Sequence, residues 1–307
     1  MPRTLLAAAL LCTLSSLATA QVTVYGRIDL SLAQQADAVK NTELRNGSGS
    51  RFGLRGTEDL GGGLRAVFQI EHRFNADTGG AGTRFWEGKS IVGLEGSFGR
   101  ITMGREENPA YTYSQNPADP WGSDTVASNS SIINGRIGTN RYSSSLNYRY
   151  SGGGLTFGAQ ITEGDDVDNR PYSLGLAYAA GPLRLGVGFE NPGNSVDSWI
   201  TVNGSYHFGA VALRGLIGSG THVNGQKHQS WLLAATTKIG AGEWRASYGQ
   251  LKIKDLDVIA DKQLAFGYHY AMSERSTLYT DLISEKRDNM PANRRSMGWD
   301  VGIKHNF

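Results

Sequence analysis

The sequence predicts an all-β protein, a closed antiparallel barrel of sixteen strands that crosses a membrane. Three observations support it. Apolar and polar residues alternate from residue 21 to the last residue, the linkers are alternately short and long, and the chain is rich in glycine and aromatic residues. The 307 residues include 41 glycines and only 8 prolines, whereas an average chain of this length holds about half as many glycines.

The composition argues against several other classes of protein. Beyond the first twenty residues no run of 18 apolar residues occurs, so helical membrane spans are not predicted. The 6 Trp, 13 Tyr and 10 Phe residues are spread along the chain, which argues against disorder. The formal net charge of +2 is too small to suggest a nucleic-acid partner.

The first twenty residues have the pattern of a secretory signal peptide. Arg3 supplies a positive charge, Leu5–Leu11 form an apolar run, and Ala18-Thr19-Ala20 offers a small-residue cleavage site. We therefore expect residues 1–20 to be removed after export through the Sec pathway, and residues 21–307 to form the barrel. The single cysteine lies within the signal peptide, so no disulfide framework is expected in the mature chain.

The alternation has a period of two residues, which is the period of a strand with one apolar and one polar face. In residues 21–32 the even positions are apolar or small and the odd ones mostly polar. Residues 64–73 alternate in the same way, and residues 297–307 alternate with the apolar residues at odd positions. Sixteen such segments begin near residues 21, 50, 63, 84, 100, 141, 154, 172, 183, 198, 210, 229, 243, 262, 276 and 296.

The linkers between these segments alternate between seven short turns and eight long loops. Such segregation is typical of an outer-membrane barrel with short periplasmic turns and long extracellular loops. Lipid cannot hydrogen-bond a backbone, so a spanning sheet must close on itself. The alternative, a soluble periplasmic β-sandwich, fits less well, because nothing in that fold would separate long from short linkers by end.

Several segments resemble the Gram-negative general porins, in particular the trimeric sixteen-stranded branch common in β-proteobacteria. Ser50–Leu64, with the sequence SRFGLRGTEDLGGGL, is the most specific match, and Val22–Asp29, Ile91–Arg105 and Asn108–Tyr111 are also similar. The resemblance identifies the terminal Phe307 as a signal for the barrel-assembly machinery. It further implies a homotrimer in outer-membrane lipid, a third loop folded into the lumen, and no cofactor.

The lumen of a sixteen-stranded barrel is a water-filled channel, and the strand period places charged residues inside it. The residues expected to form a basic wall at the constriction are Arg27, Arg55, Arg73, Lys89 and Arg141. The longest linker, residues 106–140, corresponds to the third loop of the porins, and the resemblance implies that its acids face that wall. They are Glu106, Glu107, Asp119 and Asp124. Opposite charges across a narrow aqueous gap produce a transverse field that orients polar solutes.

The later strands predict a milder lumen, lined by residues such as Gln160, Ser173, Ala177, Thr201, Asn203 and Thr236. Arginine exceeds acid on the lumen side of the first four strands, which favours a weak anion preference. A polar lining without a selective role remains the alternative.

Passive diffusion of ions and small hydrophilic solutes is the expected function, and two other functions compete with it. A barrel enzyme would need a nucleophile beside a base, but His269, expected to face the lumen, has no serine beside it in the sequence, and no catalytic or metal site is predicted. A substrate-specific channel would need aromatic residues along the lumen, whereas most Tyr and Trp residues fall on the lipid side or in loops. A role of the loops in adhesion or phage binding stays open.

Overall fold

The computed structural model describes residues 21–36, 42–163, 170–194, 196–288 and 296–307. The expected signal peptide, residues 1–20, lies outside the described residues. Within the described ranges, no helix is long and apolar enough to cross a membrane.

Sixteen long strands form the barrel, in the order that the alternation predicts. Their bounds are Gln21–Gln34 (β1), Ser50–Gly61 (β2), Leu64–Asn75 (β3), Lys89–Gly96 (β4), Gly99–Glu107 (β5), Arg141–Gly152 (β6), Leu155–Thr162 (β7), Tyr172–Ala180 (β8), Leu183–Asn191 (β9), Ser198–Phe208 (β10), Val211–Thr221 (β11), Lys227–Ile239 (β12), Gly242–Ile253 (β13), Val258–Ala271 (β14), Ser276–Arg287 (β15) and Met297–Asn306 (β16). Two short strands extend the sheet at its long-loop end, Glu43–Asn46 beside β1 and Gly80–Ala81 beside β3.

The sheet closes because β1 pairs with strands on both of its sides. Val24 pairs with Leu54 of β2, and Leu30 pairs with Ile303 of β16, both antiparallel. Beyond the end of β16, Phe307 continues the closure through two backbone hydrogen bonds with Gly26, of 3.1 and 3.0 Å. The sheet formed by the described strands therefore has no unpaired edge.

The two faces of the sheet follow the predicted period. On β1, Val24 and Leu32 point outward and are 56% and 49% exposed, whereas Asp29 between them points inward and is buried. Fourteen of the strands begin within two residues of the predicted positions. The strand expected near residue 84 begins at Lys89. The residues just before it lie outside the sheet, and the ring centre of Phe85 is 4.5 Å from that of His72. The strand expected near residue 262 begins at Val258.

The third loop, residues 108–140, folds into the lumen as the resemblance implies. It contains a π-helical turn at Tyr111–Gln115 and two short α-helical turns, Asn116–Ala118 and Ser130–Ile133. Ile132 and Ile133 are fully buried in an apolar cluster with lumen-facing residues of β10–β14. The members from those strands are Trp199, Leu216, Leu232, Leu251, Ile253 and Ala260. The loop thus lies against one wall of the barrel and leaves the β1–β6 wall facing the channel.

Candidate functional site

Three arginines form a row across the lumen side of the first three strands. Arg27 on β1 pairs in register with Arg51 on β2, and Arg51 pairs with Arg73 on β3. Their side chains are 19–24% exposed. Like charges directly opposite each other destabilise a sheet, so this arrangement does not serve strand pairing. We call these three residues the arginine row.

Two carboxylates lie against the arginine row. Glu71 accepts hydrogen bonds from Arg73, with an Nη2–Oε1 distance of 2.9 Å, and lies 4.0 Å from Nη1 of Arg51. Asp124, from the third loop, lies 3.4 Å from Nη1 of Arg27. Burial raises the pKa of Asp124, while the Arg27 and Arg51 cations act to lower it. Three cations against two carboxylates leave the row with an excess of positive charge.

Lys89 and Arg141, also expected on the basic wall, each pair with an acid on the adjacent strand. The Lys89 ammonium lies 2.9 Å from Glu106, and Arg141 donates to Glu107. Both glutamates belong to β5, which ends at Glu107, so the expectation that they lie on the loop and face the wall was wrong. They are part of the wall, because the strand period continues past residue 105 through a bulge.

Asp119 does not face the wall arginines, contrary to the prediction. Its carboxylate accepts hydrogen bonds from the backbone N–H groups of Trp121, Ser123 and Asn129 and from the Asn129 side-chain amide, at 2.9–3.1 Å. The side chain is buried within the loop. Asp119 therefore holds the fold of the third loop, a role that no alternation pattern reveals.

Arg55 also lies apart from the arginine row. It is four residues from Arg51 along β2, about 13 Å at the rise of a strand, toward the short-turn end. Its guanidinium carbon lies 5.3 Å from the centre of the Tyr25 ring. The structure thus brings together Arg27, Arg73 and Asp124 of the predicted residues and adds Arg51 to them.

The lumen side of the later strands is not the mild surface that the sequence predicts, because it carries buried acids that bind the third loop. Trp121 donates its indole N–H to Asp281 at 2.7 Å, and the Val126 backbone donates to Asp300 at 3.1 Å. Ser131 donates to Asp261. Glu190 on β9 also binds the loop, and Asp29 on β1 is a fifth buried acid, which accepts from Ser48 and Tyr279. We call these five acids the inner ring, and each is at most 1% exposed.

Glu190 on β9 has the most loop partners of these acids. Its carboxylate accepts from the side chains of Gln115 at 2.6 Å and Asn108 at 3.2 Å, and from the backbone N–H of Thr139 at 3.2 Å. Asn108 and Thr139 stand at the two ends of the loop, so one carboxylate fixes both its entry and its exit. The strand period shows that Glu190 points into the lumen, but not that the third loop lies over it. Sequence reasoning therefore missed its role in fixing the loop.

A row of glycines lets the third loop lie directly on the sheet. Gly175 on β8 pairs in register with Gly158 on β7 and Gly188 on β9. A Cβ atom at Gly175 would lie 2.5 Å from the Pro109 carbonyl oxygen, and one at Gly188 would lie 2.7 Å from the Ala110 Cα. Side chains at these positions would hold the loop further out in the lumen.

The histidines do not form a catalytic arrangement in the described part of the chain. His269 faces the lumen as expected, and its Nε2 lies 3.1 Å from Asp281, which also binds Trp121. His228 lies on β12 and contacts the Gly135 carbonyl at 2.8 Å. No group of three or more His, Cys, Asp and Glu residues suited to a metal ion occurs within the described ranges.

Comparisons with known proteins agree with this architecture. Residues 7–289 match the Gram-negative porin family. The chain is 30% identical to an outer membrane porin protein of Bordetella pertussis, with both chains covered completely, and 29% identical to outer membrane porin protein 32 of Delftia acidovorans over 95% of this chain and 96% of that one.

Among solved structures, the anion-selective porin from Comamonas acidovorans superposes with a TM-score of 0.82 at 26% identity, covering 94% of this chain and all of that one. The trimer form of OmpT from Vibrio cholerae shares the fold, with a TM-score of 0.75 at 14% identity. The predicted fold, outer-membrane location and porin function are therefore confirmed. This chain belongs to the Gram-negative porin family.

Proposed function

We propose that this porin lets ions and small hydrophilic solutes diffuse through a constriction formed by the arginine row and the third loop, with a weak preference for anions, and that it works as a homotrimer. The proposal on selectivity rests on one contrast in exposure between the cations and the acids that face the lumen. The arginine row is accessible from the channel, whereas the acids of the inner ring are buried and hydrogen-bonded.

Accessibility decides which charges a solute meets at close range. A hydrated anion that enters the channel can approach the guanidinium groups, since about a fifth of each side chain is exposed. The inner-ring acids accept hydrogen bonds instead, from the third loop or, for Asp29, from Ser48 and Tyr279, and these donors offset their charge locally. Three cations against the two carboxylates of Glu71 and Asp124 therefore leave a small excess of accessible positive charge at the constriction.

The preference is weak because the arginine row is largely neutralised. Glu71 and Asp124 balance two of its three charges, and the pairs Lys89–Glu106 and Arg141–Glu107 balance the wall beside it. Arg27 lies on the sheet and Asp124 on the loop, so part of the charge separation runs across the channel. A transverse field of this kind favours polar solutes of either sign over apolar ones.

The test is the reversal potential of the folded protein in a planar bilayer under a KCl gradient. Wild type should show a small potential of the sign given by anion preference. Arg51→Glu with Arg73→Glu should move it toward cation preference, because the row then carries excess negative charge. Arg275→Glu with Lys238→Glu makes the same change in net charge at the exposed short-turn end, and should leave the potential near that of wild type. An equal response of both double variants would mean that the arginine row does not set selectivity.

The homotrimer is supported by the resemblance to the trimeric branch and by the solved trimer form of the Vibrio cholerae protein, which shares the fold. Native mass spectrometry of the refolded protein in detergent should give the mass of three mature chains. Channels inserted into a bilayer should then close in three equal steps. A folded species with the mass of one chain and single-step closure would contradict the trimer.

A further inference from the structure

A cavity of about 400 Å³ lies between the third loop and the barrel wall, on the short-turn side of the loop. The loop contributes Tyr113 and Pro117, and the wall, formed by β6–β11, contributes Arg149, Arg184 and Arg214. Among the described residues no acid lines the cavity. Its volume is within the range of sites for small molecules. It is separate from the arginine row, which lies on β1–β3.

Two of the cavity arginines flank a serine in one row across the sheet. Arg184 on β9 pairs in register with Ser205 on β10, and Ser205 pairs with Arg214 on β11. Because neighbouring strands lie about 4.8 Å apart, roughly 10 Å separates the Cα atoms of Arg184 and Arg214. On its other side Arg184 pairs with Ala179 of β8, whose side chain is too short to fill the space. The two guanidinium groups can therefore close on one ligand above Ser205.

None of the three cavity arginines forms an ion pair with a described carboxylate. Within the described ranges Arg149 and Arg184 also form no side-chain hydrogen bond, and Arg214 donates only to the Thr236 hydroxyl, at 3.3 Å. The arginine row, by contrast, is balanced by two carboxylates. Unpaired cations that share a cavity repel one another, and an anion that enters relieves this repulsion.

Two acids act on Arg214 at longer range, and both have other partners. Glu243 lies 2.8 Å from Nε of Arg245. Asp119 accepts four hydrogen bonds within the third loop. Neither of them lines the cavity, so the cavity keeps an excess of positive charge.

The groups that line the cavity suit a phosphate monoester. A guanidinium group matches a phosphate with two parallel hydrogen bonds, and a monoester carries close to two negative charges at neutral pH. Ser205, His207 and Tyr113 line the same cavity and form no side-chain hydrogen bond within the described ranges. They are therefore available to the remaining phosphate oxygens and to hydroxyl groups of the organic part. Pro117 and the Tyr113 ring add apolar contact that inorganic phosphate lacks.

We propose that this cavity is a second solute site of the channel, which binds small phosphate monoesters below the third loop. The phosphate group lies between Arg184 and Arg214, with Arg149 as the third cation, and the organic part lies against the loop. The inference rests on the proposed diffusion function, because a solute that has passed the constriction meets this cavity next on its way to the short-turn end. That end is the periplasmic one in barrels of this kind.

The experiment measures how glucose 6-phosphate, glucose and inorganic phosphate reduce the chloride current of the folded protein in a planar bilayer, at about pH 8, where the ester is doubly charged. Glucose 6-phosphate should block the wild-type current at a lower concentration than inorganic phosphate, and glucose should have little effect. Arg184→Gln with Arg214→Gln should raise the half-blocking concentration of glucose 6-phosphate roughly tenfold or more. Arg184→Lys with Arg214→Lys should raise it less, because lysine keeps the charge without the planar fork.

The matched control is Arg65→Gln with Lys238→Gln. It removes two exposed positive charges at the short-turn end, on the lumen side of β3 and β12 and outside the cavity, and should be blocked like wild type. Folding of every variant is checked by the shift in gel mobility on heating.

Equal half-blocking concentrations in the glutamine pair and the control would overturn the inference, and so would an equal block of wild type by glucose 6-phosphate and by inorganic phosphate or glucose. A wild-type channel that conducts chloride without any block by glucose 6-phosphate would overturn it as well, and would leave the proposed diffusion standing. A folded protein that carries no current would instead contradict the proposed function.

Discussion

Arg27 and Asp124 lie 3.4 Å apart, Nη1 to Oδ2, and this contact joins the arginine row on the sheet to the third loop. Arg27 is held from two other directions. Its Nε donates to Asn306 at 2.8 Å and its Nη1 to Ser48 at 3.2 Å. Three partners on separate parts of the chain fix this guanidinium, so its charge has a defined position in the channel.

Asp124→Asn should strengthen the preference for anions. The substitution removes one of the two carboxylates that balance the arginine row, while the amide can still accept a hydrogen bond from Arg27. The reversal potential under a KCl gradient should move further toward anion selectivity. Because burial raises the pKa of Asp124, the carboxylate gains its proton at a higher pH than an ordinary aspartate. The difference between wild type and the variant should therefore shrink as the solution is acidified.

Asp77→Asn is the control for this experiment, because Asp77 is an exposed acid of the second loop. It should leave the reversal potential unchanged at every pH. If Asp77→Asn and Asp124→Asn gave equal shifts, net charge and not the contact with Arg27 would set the selectivity.

Glu190→Gln should loosen the third loop without unfolding the barrel. The glutamine amide turns one acceptor oxygen into a donor that faces the donors of Gln115, Asn108 and Thr139. Leaving such buried donors unpaired costs about 1–3 kcal/mol. Backbone amides of residues 108–118 should then exchange with deuterium roughly tenfold faster, and the open-channel current should become noisier.

Glu274→Gln, in an exposed short turn, serves as the control and should change neither the exchange rate nor the current noise. If residues 108–118 of Glu190→Gln exchanged as slowly as in wild type, the other contacts of the third loop would be enough to hold it, and Glu190 would not fix its position.

The barrel could be predicted from sequence because a spanning strand leaves a strong local signal. Each strand must alternate faces, and each end must carry its own class of linker. Bulges were harder, since a single inserted residue shifts the period. The register of β5 with β6 is irregular between Gly104 and Glu106, and this is where two acids assigned to the loop proved to belong to the sheet.

The site was only partly predictable. The period shows which side chains face the lumen, but not which of them the third loop buries. Arg27 and Arg73 face the channel as expected, and so does Glu190 by the same rule. Nothing local distinguishes an arginine open to water from a glutamate beneath the third loop. That distinction depends on a loop without periodicity, whose path is fixed by contacts with strands far away in sequence, such as Trp121 with Asp281.

Gly188→Val should push the third loop into the channel. A Cβ atom at this position would lie 2.7 Å from the Cα and 2.9 Å from the carbonyl oxygen of Ala110. A side chain could relieve such a clash by changing its rotamer, but these backbone atoms cannot. Overpacking of this kind costs about 1–3 kcal/mol, and displacement of the loop should lower the single-channel conductance. Gly215→Val introduces the same side chain on the outer face, where the nearest atom is 3.6 Å away. It should conduct like wild type. Equal conductance of the two variants would contradict the role of Gly158, Gly175 and Gly188 in letting the third loop lie directly on the sheet.

Phe307→Ala tests whether the last residue acts in assembly or in the closed barrel. The Phe307 ring packs over Gly26, where an added Cβ would lie 2.3 Å from the ring Cζ, and its backbone hydrogen-bonds to the same glycine. The alanine variant keeps both backbone bonds, so we expect purified protein to refold in detergent nearly as well as wild type. If Phe307 is the assembly signal that the resemblance implies, the folded form should fall sharply in cells. The comparison is the heat-dependent gel shift of protein from both sources, with Phe208→Ala, which removes another exposed aromatic, as control. Equal losses in cells and in detergent would assign Phe307 to closure of the barrel and not to recognition.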